Sequence, residues 1–78
     1  MLLEIGRIGK PHGLKGEVVA ALTTDRLERV EPGAVWHLDA GPVRVETSRP
    51  HQHRWVVRLE GIASREAAEA IAGQVIRA

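Results

Sequence analysis

The stretch Gly6-Arg7-Ile8-Gly9-Lys10-Pro11-His12-Gly13-Leu14-Lys15-Gly16-Glu17-Val18 restricts the folding of this chain more than any other. It holds four of the eight glycines and both lysines, and no acid interrupts it between Glu4 and Glu17. Apolar, β-prone residues flank it: Leu2, Leu3 and Ile5 before, and Val18, Val19 and Leu22 after. The pattern reads as two strands joined by a stiff, glycine-hinged turn that lifts a small cationic knuckle off the surface. Pro11 fixes its own φ and pushes Lys10 into an extended conformation. Gly13 and Gly16 can take positive φ or let another backbone come close. A loop of set shape suits recognition.

The remaining segments are also short and β-like. The first strand is expected over 2–8, with a bulge near Gly6 or burial on both sides, because Ile8 leaves the face shared by Leu3 and Ile5. A second, over 17–23, places Val18, Ala20 and Leu22 on one face. Thr24-Asp25 has the form of a helix N-cap ahead of a single turn over 26–30, which Pro32-Gly33 ends. A third strand over 34–38 turns Trp36 and Leu38 inward, and Asp39-Ala40-Gly41-Pro42 makes a turn. Val43, Val45 and Thr47 then alternate with Arg44, Glu46 and Ser48, the mark of a half-buried strand. Trp55, Val57 and Leu59 alternate in the same way with Arg54, Val56 and Arg58.

Charge selects the register of this hairpin. Val45 opposite Leu59 sets Glu46 against Arg58 and Arg44 against Glu60, whereas a slip by two residues opposes like charges. Each matched pair is worth about 0.2–1 kcal/mol. A helix is expected over 64–72, capped by Ser64, with Glu66 in its first turn and Gly73 at its end. Ala68, Ile71 and Ala72 give it a narrow apolar stripe, and Val75-Ile76 forms a last short strand. The expected fold class is all-β: a small six-stranded β-barrel, closed or nearly closed, with one short helix near the C-terminus.

With 78 residues the chain makes one domain. It has no cysteine, hence no disulfide and no thiolate metal site, which suits the cytoplasm. Glu4 and Arg7 break the N-terminal apolar residues, and no apolar run is long enough to cross a bilayer, so no membrane partner is expected. Net charge is only +1, so any contact with RNA has to come from a local patch. Two tryptophans are the only large aromatics, which argues against a base-stacking platform.

The glycine-rich stretch fits neither G-x-G-x-x-G nor G-x-x-x-x-G-K-[ST], so it is not a nucleotide loop. It offers an anion Arg7, Lys10, Lys15 and backbone amides; equally, it can be a structural turn with solvated cations. His51 and His53 would share a face on a strand, but without a third ligand they read as polar hairpin residues, and no metal or cofactor is expected. His12 has no nucleophile or orienting carboxylate beside it in the sequence, which leaves it a contact residue or a brace for the turn. Arg65, Glu66 and Glu69 read as a solvated helix face. No catalytic residues assemble, and the chain is not expected to be an enzyme.

The motif Gly6-x-Ile8-Gly9-Lys10-Pro11-His12-Gly13-Leu14-x-Gly16-Glu17-Val18 resembles the opening signature of the RimM ribosome maturation factors. Arg49-Pro50-His51, then Arg54-Trp55-Val56-Val57-Arg58-Leu59-Glu60-Gly61-Ile62, Arg65-Glu66-Ala67-Ala68-Glu69-Ala70 and Gly73 agree with the family in matching order. The resemblance covers nearly the whole chain. It implies a non-enzymatic, cytoplasmic, monomeric factor that assists assembly of the 30S subunit head and 16S rRNA processing. Its implied partners are a ribosomal protein of the head and nearby rRNA. It also implies a barrel similar to one in translation factors, so that residues 1–78 correspond to the family's N-terminal domain without its C-terminal PRC-barrel domain. The contact candidates are Arg7, Lys10, Pro11, His12, Gly13 and Lys15, with Gly9 and Gly16 shaping the turn. Two rival readings stand beside this one: a structural barrel that only supports the second domain, and a small flavin-type cofactor barrel.

Overall fold

Short strands with one apolar face can bury that face by rolling a single sheet shut. The computed structural model, which describes residues 1–78, has this arrangement. Its strands are β1 (Glu4–His12), β2 (Glu17–Leu22), β3 (Val35–Leu38), β4 (Gly41–His51), β5 (Arg54–Leu59) and β6 (Val75–Arg77). They close in the order β1-β2-β5-β4-β3-β6, with antiparallel neighbours throughout, so the barrel has no open edge. A 3-10 turn, Leu27–Arg29, precedes β3, and the helix α1 (Arg65–Ile71) precedes β6. No helix is long and apolar enough to cross a membrane.

Two irregularities reconcile β1 with its imperfect alternation. Against β6 its pairing shifts between Glu4 and Gly6, which lets both Ile5 and Ile8 enter the core. Against β2 it shifts between Ile8 and Pro11, where Gly9 and Lys10 together face Val19. The strand therefore runs past Ile8 to His12, and the turn proper is confined to residues 13–16. Pro11 is tolerated in a strand because pairing to β6 ends at Arg7, so its lack of an N–H removes no ladder bond on that side.

The β4–β5 hairpin keeps the charge-selected register at one end and departs from it at the other. Val45 pairs with Leu59, and Arg58 lies 3.8 Å from Glu46. Beyond Val45 the pairing shifts by one residue. Thr47, expected inward, is exposed, and Ser48 turns in to donate its hydroxyl to the Val30 carbonyl. Turn closure accounts for the shift. In the unshifted register Pro50 would face Arg54 across a three-residue loop; in the shifted one His51 pairs with Arg54 and only Gln52 and His53 remain between them. These two residues have φ of 49° and 67°, the two left-handed positions of a type I′ turn, whose twist matches that of the strands.

Neither turn residue is of the type that adopts this conformation readily. Replacing Gln52 by Asn together with His53 by Gly is expected to stabilise the chain by about 1 kcal/mol. In a domain of this size that corresponds to a rise in melting temperature of roughly 4–8 °C. A thermal melt showing no gain would mean that side-chain contacts of Gln52 or His53 offset the backbone strain.

Elsewhere local signals and structure agree, with two corrections. Trp36 and Leu38 are buried, and the Ser64 Oγ accepts the Ala67 amide at 3.1 Å as the cap of α1. Gly73 follows the helix with φ of 86°. Thr24-Asp25, however, does not cap the 3-10 turn, whose N-cap position is Arg26 with no side-chain bond. Thr24 Oγ1 instead accepts the Arg26 amide, a local turn that competes with capping. Likewise only Asp39 and Ala40 link β3 to β4, because Gly41 and Pro42 already pair with Leu38 and His37.

Candidate functional site

Glycine-rich turns are floppy unless something outside them holds them, and here three contacts do so. Gly16 is buried with φ of 96°; a Cβ there would overlap the Ile62 carbonyl and lie 2.8 Å from the Ser64 nitrogen. The turn is thus pressed against the start of α1. Arg58 Nη2 donates to the Lys15 carbonyl at 2.9 Å, and Arg65 Nη1 donates to the Gly13 carbonyl at 3.3 Å. Bracing, one of the two roles open to His12, is done by arginines from β5 and α1. Arg65 also pairs with Glu69 at 3.0 Å, so the helix face read as solvated holds the turn as well.

The outer face of the β1-β2-β5-β4 sheet carries a second feature. Val56 is only 1% exposed, yet it lies outside the core cluster that contains Val57 and Leu59. It therefore points outward, between its cross-strand partners Val19 on β2 and Arg49 on β4. Its cover is polar. Arg49 Nη1 reaches over β5 to Glu17 at 3.3 Å, and the His12 and His51 rings meet edge to face with centroids 5.3 Å apart. Sheet twist brings the two hairpins together over this face. Because His53 stands in the turn, His51 does not share a face with it and packs on His12 instead. No group of three or more metal-ligating side chains gathers anywhere in the chain.

Two depressions flank the histidine pair. One is lined by His12, Gly13, Leu14, Lys15, Glu17 and Arg49, the other by Gly9, Lys10, Val19, His51, Gln52 and Arg54. The motif candidates are thereby divided. His12, Gly13 and Lys15 gather at one depression and Lys10 at the other, while Pro11, paired with Val18, lines neither. Arg7 stands apart, paired with Ala21 and Val75, with its Nη1 donating to the Gly73 carbonyl at 3.2 Å. Gly9 belongs to the bulge, where a Cβ would sit 2.9 Å from the Val19 carbonyl oxygen. Neither lysine has an ion pair or an internal side-chain hydrogen bond.

Local sequence did not point to Arg49, His51 and Arg54 as neighbours of Lys10 and Lys15. Their one signal was the Arg49-Pro50-His51 string preceding the alternating strand. Leu14, 77% exposed at the tip of the knuckle, is a further residue available to a partner.

Comparison with known proteins places the chain in a family. The model of the RimM N-terminal domain matches residues 3–78. The ribosome maturation factor RimM of Streptomyces avermitilis is 45% identical over 75 residues, covering 91% of this chain and 40% of that protein. That of Bifidobacterium adolescentis is 45% identical over 78 residues, 96% of this chain and again 40% of the relative. The chain thus spans about two fifths of the length of these curated relatives. Among solved structures, the RimM 16S ribosomal RNA processing protein of Pseudomonas aeruginosa superposes with a TM-score of 0.86 at 28% identity, over 100% of this chain and 50% of that one. The solution structure of the N-terminal domain of RimM from Thermus thermophilus gives 0.84 at 29% identity, over 99% of this chain and 87% of that one.

Proposed function

The chain belongs to the RimM family through the family's N-terminal domain, and from that membership we propose that it works by docking on immature small ribosomal subunits and not by catalysis. In this reading residues 1–78 act in the cytoplasm as one domain of a two-domain factor, beside a PRC-barrel domain. The knuckle from Lys10 to Lys15 holds a segment of rRNA or ribosomal protein in the subunit head while later proteins join.

The observation that carries this reading is the pair of unpaired lysines, Lys15 on a turn whose backbone is fixed from two other elements and Lys10 on the β1 bulge that leads into it. A contact surface already ordered loses little conformational entropy on binding. Leu14 adds an apolar contact between the charges.

Co-sedimentation of the chain with small subunits from cells lacking the factor tests the proposal. Lys10→Ala with Lys15→Ala and Arg7→Ala is expected to abolish most of the binding. With about three phosphate contacts, log K against log[salt] for the unaltered chain should slope by roughly −2 to −3. Unchanged sedimentation of the triple variant would sink the proposal in favour of a barrel that only supports the second domain.

A further inference from the structure

Lys10 and Arg54 approach one depression from different hairpins. Its volume is about 380 Å³, Val19 is its one apolar side chain, and no carboxylate lines it. The other two surface depressions each contain an acid: Glu17 beside Arg49 in one, Glu60 beside Arg44 in the other. Neither Lys10 nor Arg54 forms an ion pair or donates to an internal acceptor, so all their donors are unspent. An anion entering here gains charge-assisted hydrogen bonds without displacing an internal partner.

The rim has its own peculiarity. Gln52 lines the cleft from a left-handed backbone position, and His53 follows it in another. Consecutive left-handed residues that are not glycine are a form of stored strain, which concentrates at ligand sites. The His51 ring packs on that of His12, with centroids 5.3 Å apart. The cleft therefore joins a guanidinium fork, an ammonium, a carboxamide and an imidazole around one open space.

We propose that this cleft between the β1–β2 and β4–β5 hairpins binds a phosphate of an RNA backbone, with Arg54 and Lys10 as the charged donors and Gln52 and His51 as further donors beside them. The proposal rests on the docking reading above and extends it to a second contact point, distinct from Lys15. Two unpaired cations with no carboxylate among them favour the charged phosphate, so the contact is with the backbone and tolerant of sequence.

The test is an NMR titration of the 15N-labelled chain with a short mixed-sequence RNA, with inorganic phosphate and polyglutamate run in parallel. RNA is expected to shift the Lys10 and Gln52 amides and the Arg54 side-chain Nε–H, and inorganic phosphate to do so far more weakly. Lys10→Gln with Arg54→Gln, both at exposed positions, should weaken RNA binding by about 10-fold and reduce the salt slope by about 2.

RNA shifts confined to Gly13 and Lys15, or a double variant that binds as before, would overturn the cleft and leave the docking reading standing. Phosphate binding as tightly as RNA would make it a small-anion site, and polyglutamate shifting it where RNA does not would make it a site for an acidic protein; either overturns the proposal. If RNA leaves every resonance unmoved the cleft fails, and co-sedimentation with subunits then decides whether docking survives without it.

Discussion

Gly16→Ala is expected to destabilise the chain by about 3 kcal/mol or more, whereas Gly13→Ala costs about 1 kcal/mol, although both glycines belong to one turn. Their φ values are similar, 96° and 79°, so the backbone penalty for a Cβ is shared. Their surroundings differ. Nothing lies within 4 Å of a Cβ at Gly13, while at Gly16 it would overlap the Ile62 carbonyl and crowd the Ser64 nitrogen at 2.8 Å. Both neighbours are backbone atoms, so no side-chain rotation relieves the contact. Relief requires moving the 62–64 segment, which disturbs the Ser64 cap, itself worth about 1 kcal/mol. The total is a large share of the roughly 4–12 kcal/mol available to a chain of this length. Urea unfolding of the two variants side by side measures it. Equal losses would show that φ alone sets the glycine requirement, and that the pressing of turn against helix contributes nothing.

The same contact separates what the sequence made legible from what it did not. Positions governed by near neighbours were readable: the Ser64 cap, the inward Trp36 and Leu38, and the Val45–Leu59 pairing chosen by charge. Six short amphipathic strands with no good way to protect an edge implied closure, and the barrel is closed. Thr47 and Ser48 were not readable, because their facing depends on how the chain closes its turn at Gln52 and His53, beyond any alternation rule. The strand running on through Gly9 and Lys10 was hidden in the same way, since a bulge looks like a turn when its partner strand is unknown.

The candidate site follows the same division. Lys10, His12, Gly13 and Lys15 could be named together because they are contiguous in the chain. Arg54 and His51 reach that neighbourhood only because β5 pairs with β2 and the β4–β5 hairpin curls over the outer face. His51 and His53 were read as polar hairpin residues, and they stand at the end of β4 and in its turn; the contact of His51 with His12 is what spacing did not reveal. Arg58 and Arg65, which fix the knuckle through its carbonyls, carry no mark in sequence that separates them from solvated charges.

Trp36→Ala is expected to cost about 3–5 kcal/mol, the largest loss from any single core truncation here. Trp36 is the largest of the fully buried side chains, and its Nε1 donates to the Arg29 carbonyl at 2.6 Å. Truncation therefore opens a cavity and removes the donor from a carbonyl in the 3-10 segment. That segment leads into buried Val30, and the only other side chain bonded to it is Ser48, which donates to the Val30 carbonyl. Trp36→Phe distinguishes the two contributions, since it keeps most of the volume and loses the donor. A lost hydrogen bond to a part-buried carbonyl costs about 1–3 kcal/mol, so Phe should fall between wild type and Ala. Amide exchange at residues 27–30 should quicken in both variants. If Phe matches wild type in urea unfolding, the indole bond contributes nothing and the 3-10 segment is held by packing alone. If Phe matches Ala, the bond dominates and the barrel tolerates the altered shape. Neither substitution touches the lining of the Lys10–Arg54 cleft, so RNA affinity per folded molecule should stay constant while stability falls. A parallel loss of affinity would mean that the core around Trp36 and the cleft are energetically coupled.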